Sequence, residues 1–149
     1  MVIRNGSGSS LVGASLGFQQ VFSTTEVQRI AQSIASDFGG STTESADSIS
    51  VDLRKGPKRI RVNWPKHDLA EVWMAFYEGD QETGIYQDWF ECMDNENKAE
   101  FVEYLRTIVA RFFVNSSRVK RRGLVLRRSI LEIETDSGWK DIFDPELDQ

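Results

Sequence analysis

The sequence predicts an α+β domain, an antiparallel sheet of about five to six strands with two main helices packed on one face, in the order α-β-β-β-β-α-β-β. Two amphipathic helical patterns, at residues 23–38 and 94–113, stand beside segments whose apolar residues alternate as in strands. No alternation of single strands with single helices is present, which argues against a dinucleotide-binding fold. The 149 residues are enough to bury one core without disulfides.

A capping signal separates the N-terminal segment from the first helix. Residues 1–22 are Gly/Ser-rich at first, so we assign them to a flexible or loosely packed segment and residues 23–149 to one domain. Ser23 and Glu26 have the spacing of a capping box, in which each side chain accepts a hydrogen bond from the other residue's amide. Apolar residues then recur at intervals of three and four until two glycines, at 39–40, supply a stop.

Two hairpins are predicted between the helices. Residues 41–47 are expected to form a polar loop, and residues 49–64 then alternate as a hairpin with arginines on its outer face. Residues 69–78 fit either a helix or a strand, and their Val, Trp, Phe and Tyr content favours a strand buried on both faces. That strand and residues 85–92 form the second hairpin, with residues 80–83 at its tip.

The remaining elements follow the second hairpin. Asp94 is predicted to cap the second helix, whose wide apolar stripe ends at Phe113. Acidic residues in its first turns and arginines further on suit the helix dipole. The chain is then predicted to be strand-like through Leu124–Leu126 and Ile130–Ile133, and to close with a short strand at Trp139–Phe143.

Charge is strongly segregated along the chain. The net charge of −5 is a sum of opposing blocks: residues 68–103 hold 11 acidic and 1 basic residue, and residues 104–128 hold 8 basic and no acidic residues. The blocks either neutralise one another in the fold or form separate poles, and the sequence leaves both arrangements open.

Motifs for catalysis, metal binding and cofactor binding are weak. His67 with Asp68 and Cys92 are the candidates for nucleophilic catalysis, but nothing around them resembles a nucleophile turn. We expect His67 in an exposed loop, Cys92 buried, and no enzymatic activity. The acids after Asp80 match only part of an EF-hand loop, because Ile85 stands where that loop requires glycine. Neither a metal nor a cofactor is predicted.

Aromatic and acidic residues interleave between positions 77 and 91. Tyr and Trp anchor protein interfaces, and acidic groups around them steer a basic partner by long-range attraction. The candidate partner-binding residues are Tyr77, Asp80, Glu82, Tyr86, Asp88, Trp89 and Glu91. A small acidic α+β protein with such a surface resembles in general character the bacterial immunity proteins and antitoxins, which block the basic active site of a toxin such as a nuclease. We therefore expect a non-enzymatic module that binds a basic toxin domain.

Two alternatives stay open. The basic segment could bind nucleic acid through Arg118, Lys120, Arg121, Arg122, Arg127 and Arg128. It contains no aromatic residue for base stacking, and the pI of about 5.0 is opposite to that of a typical nucleic-acid binder. A secretion chaperone or structural homodimer is the second alternative. The longest apolar run is Val72–Tyr77, and no signal peptide is evident, so we expect a cytoplasmic protein without a membrane partner.

Overall fold

The computed structural model describes residues 3–5, as backbone only, together with residues 21–125 and 128–147. Within these ranges the helices are α1 (Thr24–Phe38) and α2 (Lys98–Val114). The strands are β1 (Ile3–Asn5), β2 (Ser41–Glu44), β3 (Ser48–Lys55), β4 (Lys58–Pro65), β5 (Glu71–Glu78), β6 (Tyr86–Cys92), β7 (Ser117–Arg122), β8 (Arg128–Thr135) and β9 (Gly138–Asp141).

The strands form two antiparallel sheets. The larger sheet has the order β1-β6-β5-β4-β3-β2, in which β2 to β6 are a simple meander, and the smaller sheet has the order β7-β8-β9. The predicted α+β class is confirmed, as is the layout of a helix, a run of antiparallel strands, a second helix and further strands; the structure has more strands than the predicted order. The separation into two sheets, and the pairing of β1 with β6, were not predicted from the sequence.

One face of the larger sheet, here called the inner face, carries most of the core. Strand alternation directs Val51, Val62 and Met74 to this face, where they lie side by side in register. Both helices pack on it, as predicted: α1 lies against β3, and Phe112 of α2 meets Phe76 of β5 with ring centroids 5.1 Å apart. The two helices run side by side in the same direction, as two ion pairs show: one joins their N-terminal turns, and the other joins later turns.

The predicted capping box at the start of α1 is confirmed. The Ser23 hydroxyl oxygen accepts a hydrogen bond from the Glu26 amide, and the Glu26 carboxylate accepts one from the Ser23 amide, both at 3.1 Å. The helix ends at Gly39, whose φ of 70° is a left-handed conformation that glycine adopts without a steric penalty. Gly40 follows because a Cβ atom there would lie 2.4 Å from the Asp52 carbonyl oxygen.

The chain after β9 fastens the smaller sheet to α2 and to the inner face. Buried Arg111 donates from Nη1 to the carbonyl oxygens of Ile142 (2.7 Å) and Asp144 (3.0 Å). The Tyr104 hydroxyl donates to the Phe143 carbonyl oxygen at 2.5 Å. The Phe143 ring completes the core against Phe76, Tyr86 and Phe90, so the final turn covers the inner face of β6.

Four local predictions require correction. Ser41–Glu44 is an edge strand rather than a loop, and its four side chains are all exposed, so no apolar alternation marks it. The strand β5 is buried on one face only. Asp94 caps a short 3-10 helix, and α2 begins four residues later. The strand predicted from Leu124 begins earlier, as β7 in the basic segment, and Leu124 and Val125 lie in the bend that follows it. Leu126 is outside the described residues.

The boundary at residue 22 stays a prediction. Residues 1–2 and 6–20 are outside the described part of the chain, whereas Phe22 lies in the core against Phe101, with ring centroids 6.2 Å apart.

Candidate functional site

The opposite side of the larger sheet, here called the outer face, is lined by aromatic and charged side chains. The register places Arg59 beside Tyr77, Asn63 beside Trp73, and Trp73 beside Trp89. Both helices and the smaller sheet contribute to the core on the inner face. Among the residues that the structure describes, no helix or second sheet lies over the outer face.

Two arginines on β4 are held against neighbouring strands. The Arg59 guanidinium lies over the Tyr77 ring, 4.1 Å from its centroid, which is a cation–π contact. Arg61 binds the Asp52 carboxylate through Nε (2.9 Å) and Nη2 (3.2 Å). These contacts orient both guanidinium groups along the sheet, so each side chain has lost part of its rotamer freedom before any partner binds.

A tryptophan pair continues this row toward β6. The Trp73 and Trp89 ring centroids are 6.0 Å apart, and Trp73 Nε1 donates to the Glu71 carboxylate at 2.7 Å. Trp89 is only 9% exposed, whereas Trp73 is half-buried. A partner on this face would therefore contact the Trp73 ring, and Trp89 would hold that ring in position by packing against it.

A cleft of about 390 Å³ lies at one end of the outer face, between the β3–β4 turn and the β5–β6 turn. The Gly79 amide donates to the Pro57 carbonyl oxygen at 2.9 Å, which joins the two turns. Asp80 and Glu82, both exposed, belong to one turn, and the arginines at 54 and 59 lie on the strands of the other hairpin. The cleft therefore has acidic groups on one side and basic groups on the other.

The seven residues predicted as a partner-binding surface are divided among three places. Tyr77, Trp89 and Glu91 lie on the outer face, and Asp80 and Glu82 lie at the hairpin tip. The remaining two, Tyr86 and Asp88, are on the inner side, where the Tyr86 hydroxyl donates to Asp88 Oδ2 at 2.9 Å.

Tyr86 is part of the packing that closes the core edge. The centroid of its ring lies 5.8 Å from the centroid of the Phe143 ring, and burial raises the pKa of the Tyr86 hydroxyl. The Asp88 carboxylate also accepts the Trp89 amide at 2.9 Å. These contacts give Tyr86 and Asp88 a structural role on the face opposite the row formed by Arg59, Tyr77 and Trp73.

The acidic block of residues 68–103 is split between two ends of the sheet. The C-terminal end of α2 lies near the hairpin tip, because Phe112 packs on Phe76 of β5. The helix has 17 residues, which corresponds to about 25 Å. Its acidic first turn is therefore distant from Asp80 and Glu82, and a single partner contact would use one group or the other.

The basic segment is partly neutralised within the smaller sheet. The Glu132 carboxylate, 1% exposed, accepts hydrogen bonds from Arg118 Nε and Arg122 Nη2, each at 3.0 Å. Arg118 also lies over the Trp139 ring, 4.2 Å from its centroid. Of the other predicted cations, Lys120, Arg121 and Arg128 are exposed, and Arg127 is outside the described residues.

The candidate catalytic residues differ in environment. His67 is exposed in a turn, and Cys92 is buried, with its thiol donating to the Asp94 carbonyl oxygen at 3.4 Å. Burial raises the pKa of the Cys92 thiol, which favours the unreactive protonated form. The partial EF-hand spacing also has no three-dimensional counterpart, because Asp80 lies at the hairpin tip and Glu91 near the other end of β6.

Three residues of the outer face were absent from the sequence-based site: Arg59, Arg61 and Trp73. The signal that could have indicated them is the two-residue period of β4 and β5. Because Ile60, Val62, Met74 and Phe76 point into the core, the residues between them must point outward.

Comparisons of the chain with protein-family models, with curated proteins and with solved structures found no match in any of the three. Within the described ranges, no helix combines the length and apolar character needed to cross a bilayer. Function is therefore inferred from the geometry of the chain itself.

Proposed function

We propose that the protein is a non-enzymatic protein-binding module that binds a basic protein partner through its outer face and its acidic hairpin tip. The partner class we favour is a toxin domain, such as a nuclease, which the protein would neutralise as an immunity protein or antitoxin does. The observation that carries the proposal is the row of Arg59, Tyr77 and Trp73 across the outer face. Arg, Tyr and Trp are the residues most enriched among binding hot spots.

The row is supported by a rigid scaffold. Each of the three side chains lies on a central strand and has a contact that limits its rotamers. Arg59 and Tyr77 stack on one another, and Trp73 donates one hydrogen bond to Glu71 and packs on Trp89. Side chains that are already ordered lose less conformational entropy when a partner binds. This favours a stable interface over a transient electrostatic contact.

Charge determines the kind of partner that fits. Asp80 and Glu82 are exposed at the hairpin tip, and the whole chain has a net charge of −5. A basic partner would be attracted over long range, and its cations would meet these carboxylates. The arginines at 54 and 59 line the same cleft as these acids, so an acidic group within the partner's basic surface would fix the orientation of the complex.

The test uses a purified basic toxin domain encoded by a neighbouring open reading frame, measured by calorimetry. We expect tight binding, suppression of the domain's activity, and a loss of at least about 30-fold in affinity for Trp73→Ala or Tyr77→Ala. The matched control is Trp139→Ala, which removes a half-buried tryptophan from the smaller sheet. Equal affinities for Trp73→Ala and the parent protein, or a greater loss for Trp139→Ala, would reject the outer face as the binding surface.

The two alternative functions receive less support. Two of the six predicted nucleic-acid-binding cations, Arg118 and Arg122, are bound to Glu132. The dimer hypothesis depends on apolar side chains of α2 being accessible, and those of its central stripe are buried in the core: Phe101, Leu105, Ile108, Val109 and Phe112.

A further inference from the structure

The end of the β7–β8 hairpin presents aliphatic side chains to solvent. Leu124 is fully exposed and Val125 is 93% exposed, and neither contributes to the core cluster. Single exposed aliphatic residues are common on protein surfaces. Two consecutive ones beside several exposed basic residues are a different feature, because they form one apolar point next to positive charge.

Basic residues precede and follow this apolar point along the hairpin. Lys120 and Arg121 are exposed and point to opposite sides of β7, as successive residues of a strand do. Arg122 lies directly opposite Arg128 in the register of the two strands. Arg122 is bound to Glu132, whereas Lys120, Arg121 and Arg128 are exposed, so this end of the hairpin presents three positive charges that an anionic surface would attract.

We propose that the β7–β8 hairpin is a peripheral attachment site for anionic lipid bilayers. Leu124 and Val125 enter the boundary between headgroups and acyl chains, and Lys120 and Arg121 meet the lipid phosphates and carboxylates. This site is separate from the outer face and does not depend on the function proposed for it. Composition alone predicts no membrane partner, because no apolar run is long; the exposed pair is recognised only from side-chain burial.

The combination of groups favours lipid over nucleic acid. A nucleic-acid backbone would satisfy the cations but would leave both aliphatic side chains in water, and residues 118–125 contain no aromatic ring for base stacking. An anionic bilayer would neutralise the cations and also bury the two aliphatic side chains. Each cation near an anionic bilayer strengthens binding by about fivefold, and burial of an aliphatic side chain adds about tenfold. Acidic groups in other parts of the protein repel the bilayer only weakly at this hairpin, because salt screens interactions between exposed charges beyond about 10 Å.

The experiment is cosedimentation of the full chain with phosphatidylcholine vesicles, with and without phosphatidylserine. We expect binding only with phosphatidylserine, and a decrease as salt is added. The double variant Leu124→Ser/Val125→Ser should weaken binding by at least about tenfold, and Lys120→Gln/Arg121→Gln by a similar factor. The matched control is Val114→Ser, which removes an exposed aliphatic side chain at the end of α2.

Circular dichroism and thermal unfolding establish that each variant is folded, so a loss of binding cannot be attributed to unfolding. Absence of phosphatidylserine-dependent sedimentation would overturn the proposal. It would also be overturned if Leu124→Ser/Val125→Ser bound vesicles as the parent does. Binding of single-stranded RNA that depends on Lys120 and Arg121 but not on Leu124 and Val125, without vesicle binding, would assign the hairpin to nucleic acid instead.

Discussion

The ammonium group of Lys58 donates a hydrogen bond to the carbonyl oxygen of Phe112 at 2.6 Å and lies 4.6 Å from the centroid of the same residue's ring. It also donates to the Asn115 carbonyl oxygen. A side chain of the larger sheet thereby caps the C-terminal end of α2, where the helix leaves carbonyl groups without partners within the helix.

Lys58→Met tests this cap. The substitution keeps most of the side-chain volume but removes the donor, so the free energy of unfolding should fall by about 1–2 kcal/mol. Urea denaturation measures the change. Lys55→Met, at an exposed position in the same hairpin, is the control, and its effect should stay below about 0.5 kcal/mol. Equal effects of the two variants would show that the Lys58 bonds contribute no net stability.

Glu132→Gln tests the buried ion cluster of the smaller sheet. The amide cannot balance two guanidinium groups, so the variant should be about 2 kcal/mol less stable than the parent. Arg118 and Arg122 keep contact with water, which limits the loss. Glu134→Gln, two residues further along β8 and exposed, should change stability little. A Glu132→Gln protein as stable as the parent would mean that the cluster is not a stabilising feature.

Stability at acid pH should depend on Glu26. The hydrogen bond from Lys98 and that from the Ser23 amide lower the pKa of Glu26 from its usual value of 4.5. A carboxyl group with a lowered pKa in the folded state stabilises the protein above its usual pKa, and that stabilisation is lost as the pH falls through the lowered value. Glu26→Gln should therefore reduce the loss of stability below pH 4.5.

Urea midpoints measured at several pH values provide the readout for Glu26. Lys98→Gln should reduce the same acid-dependent loss, because it removes the main cause of the shift. If Glu26→Gln and the parent lose stability identically between neutral and acid pH, the Glu26 ion pair is absent in solution.

Charge at the hairpin tip should control how fast the proposed partner binds. Asp80→Asn/Glu82→Gln is expected to lower the association rate by about tenfold at low salt and to flatten its salt dependence, with a smaller change in dissociation. Stopped-flow mixing measures both rates. The matched control is Glu96→Gln/Glu100→Gln, at exposed positions of the short 3-10 helix and of the first turn of α2. A larger effect of the control would move the encounter site to that end of the sheet.

The fold was predictable where a pattern in neighbouring residues determines the local structure. The capping box, the glycine stop and the alternation of β3 and β4 each depend on residues close in sequence, and all are confirmed. The edge strand β2 was not predictable, because a fully exposed polar strand has no alternation. Nor was the separate second sheet: a strand was predicted at Ile130–Ile133, but the alternation within one strand does not determine which sheet the strand joins.

The candidate site was only partly predictable for a related reason. Trp89 and Phe90 are adjacent and both apolar, so the sequence does not determine which of them points into the core. That choice decides the orientation of every other residue in β6, including Tyr86 and Asp88. The register with β5 resolves it, because Phe90 lies opposite buried Val72, and Trp89 lies opposite Trp73.

The position of Phe143 has a consequence for synthesis. Its ring covers Phe76, Tyr86 and Phe90, and its carbonyl oxygen accepts the Tyr104 hydroxyl, so groups from the middle of the chain obtain their cover from residues made much later. While the ribosome is still adding these residues, the aromatic surface of β5 and β6 is exposed to water. The domain therefore cannot complete its core until residue 143 has left the exit tunnel.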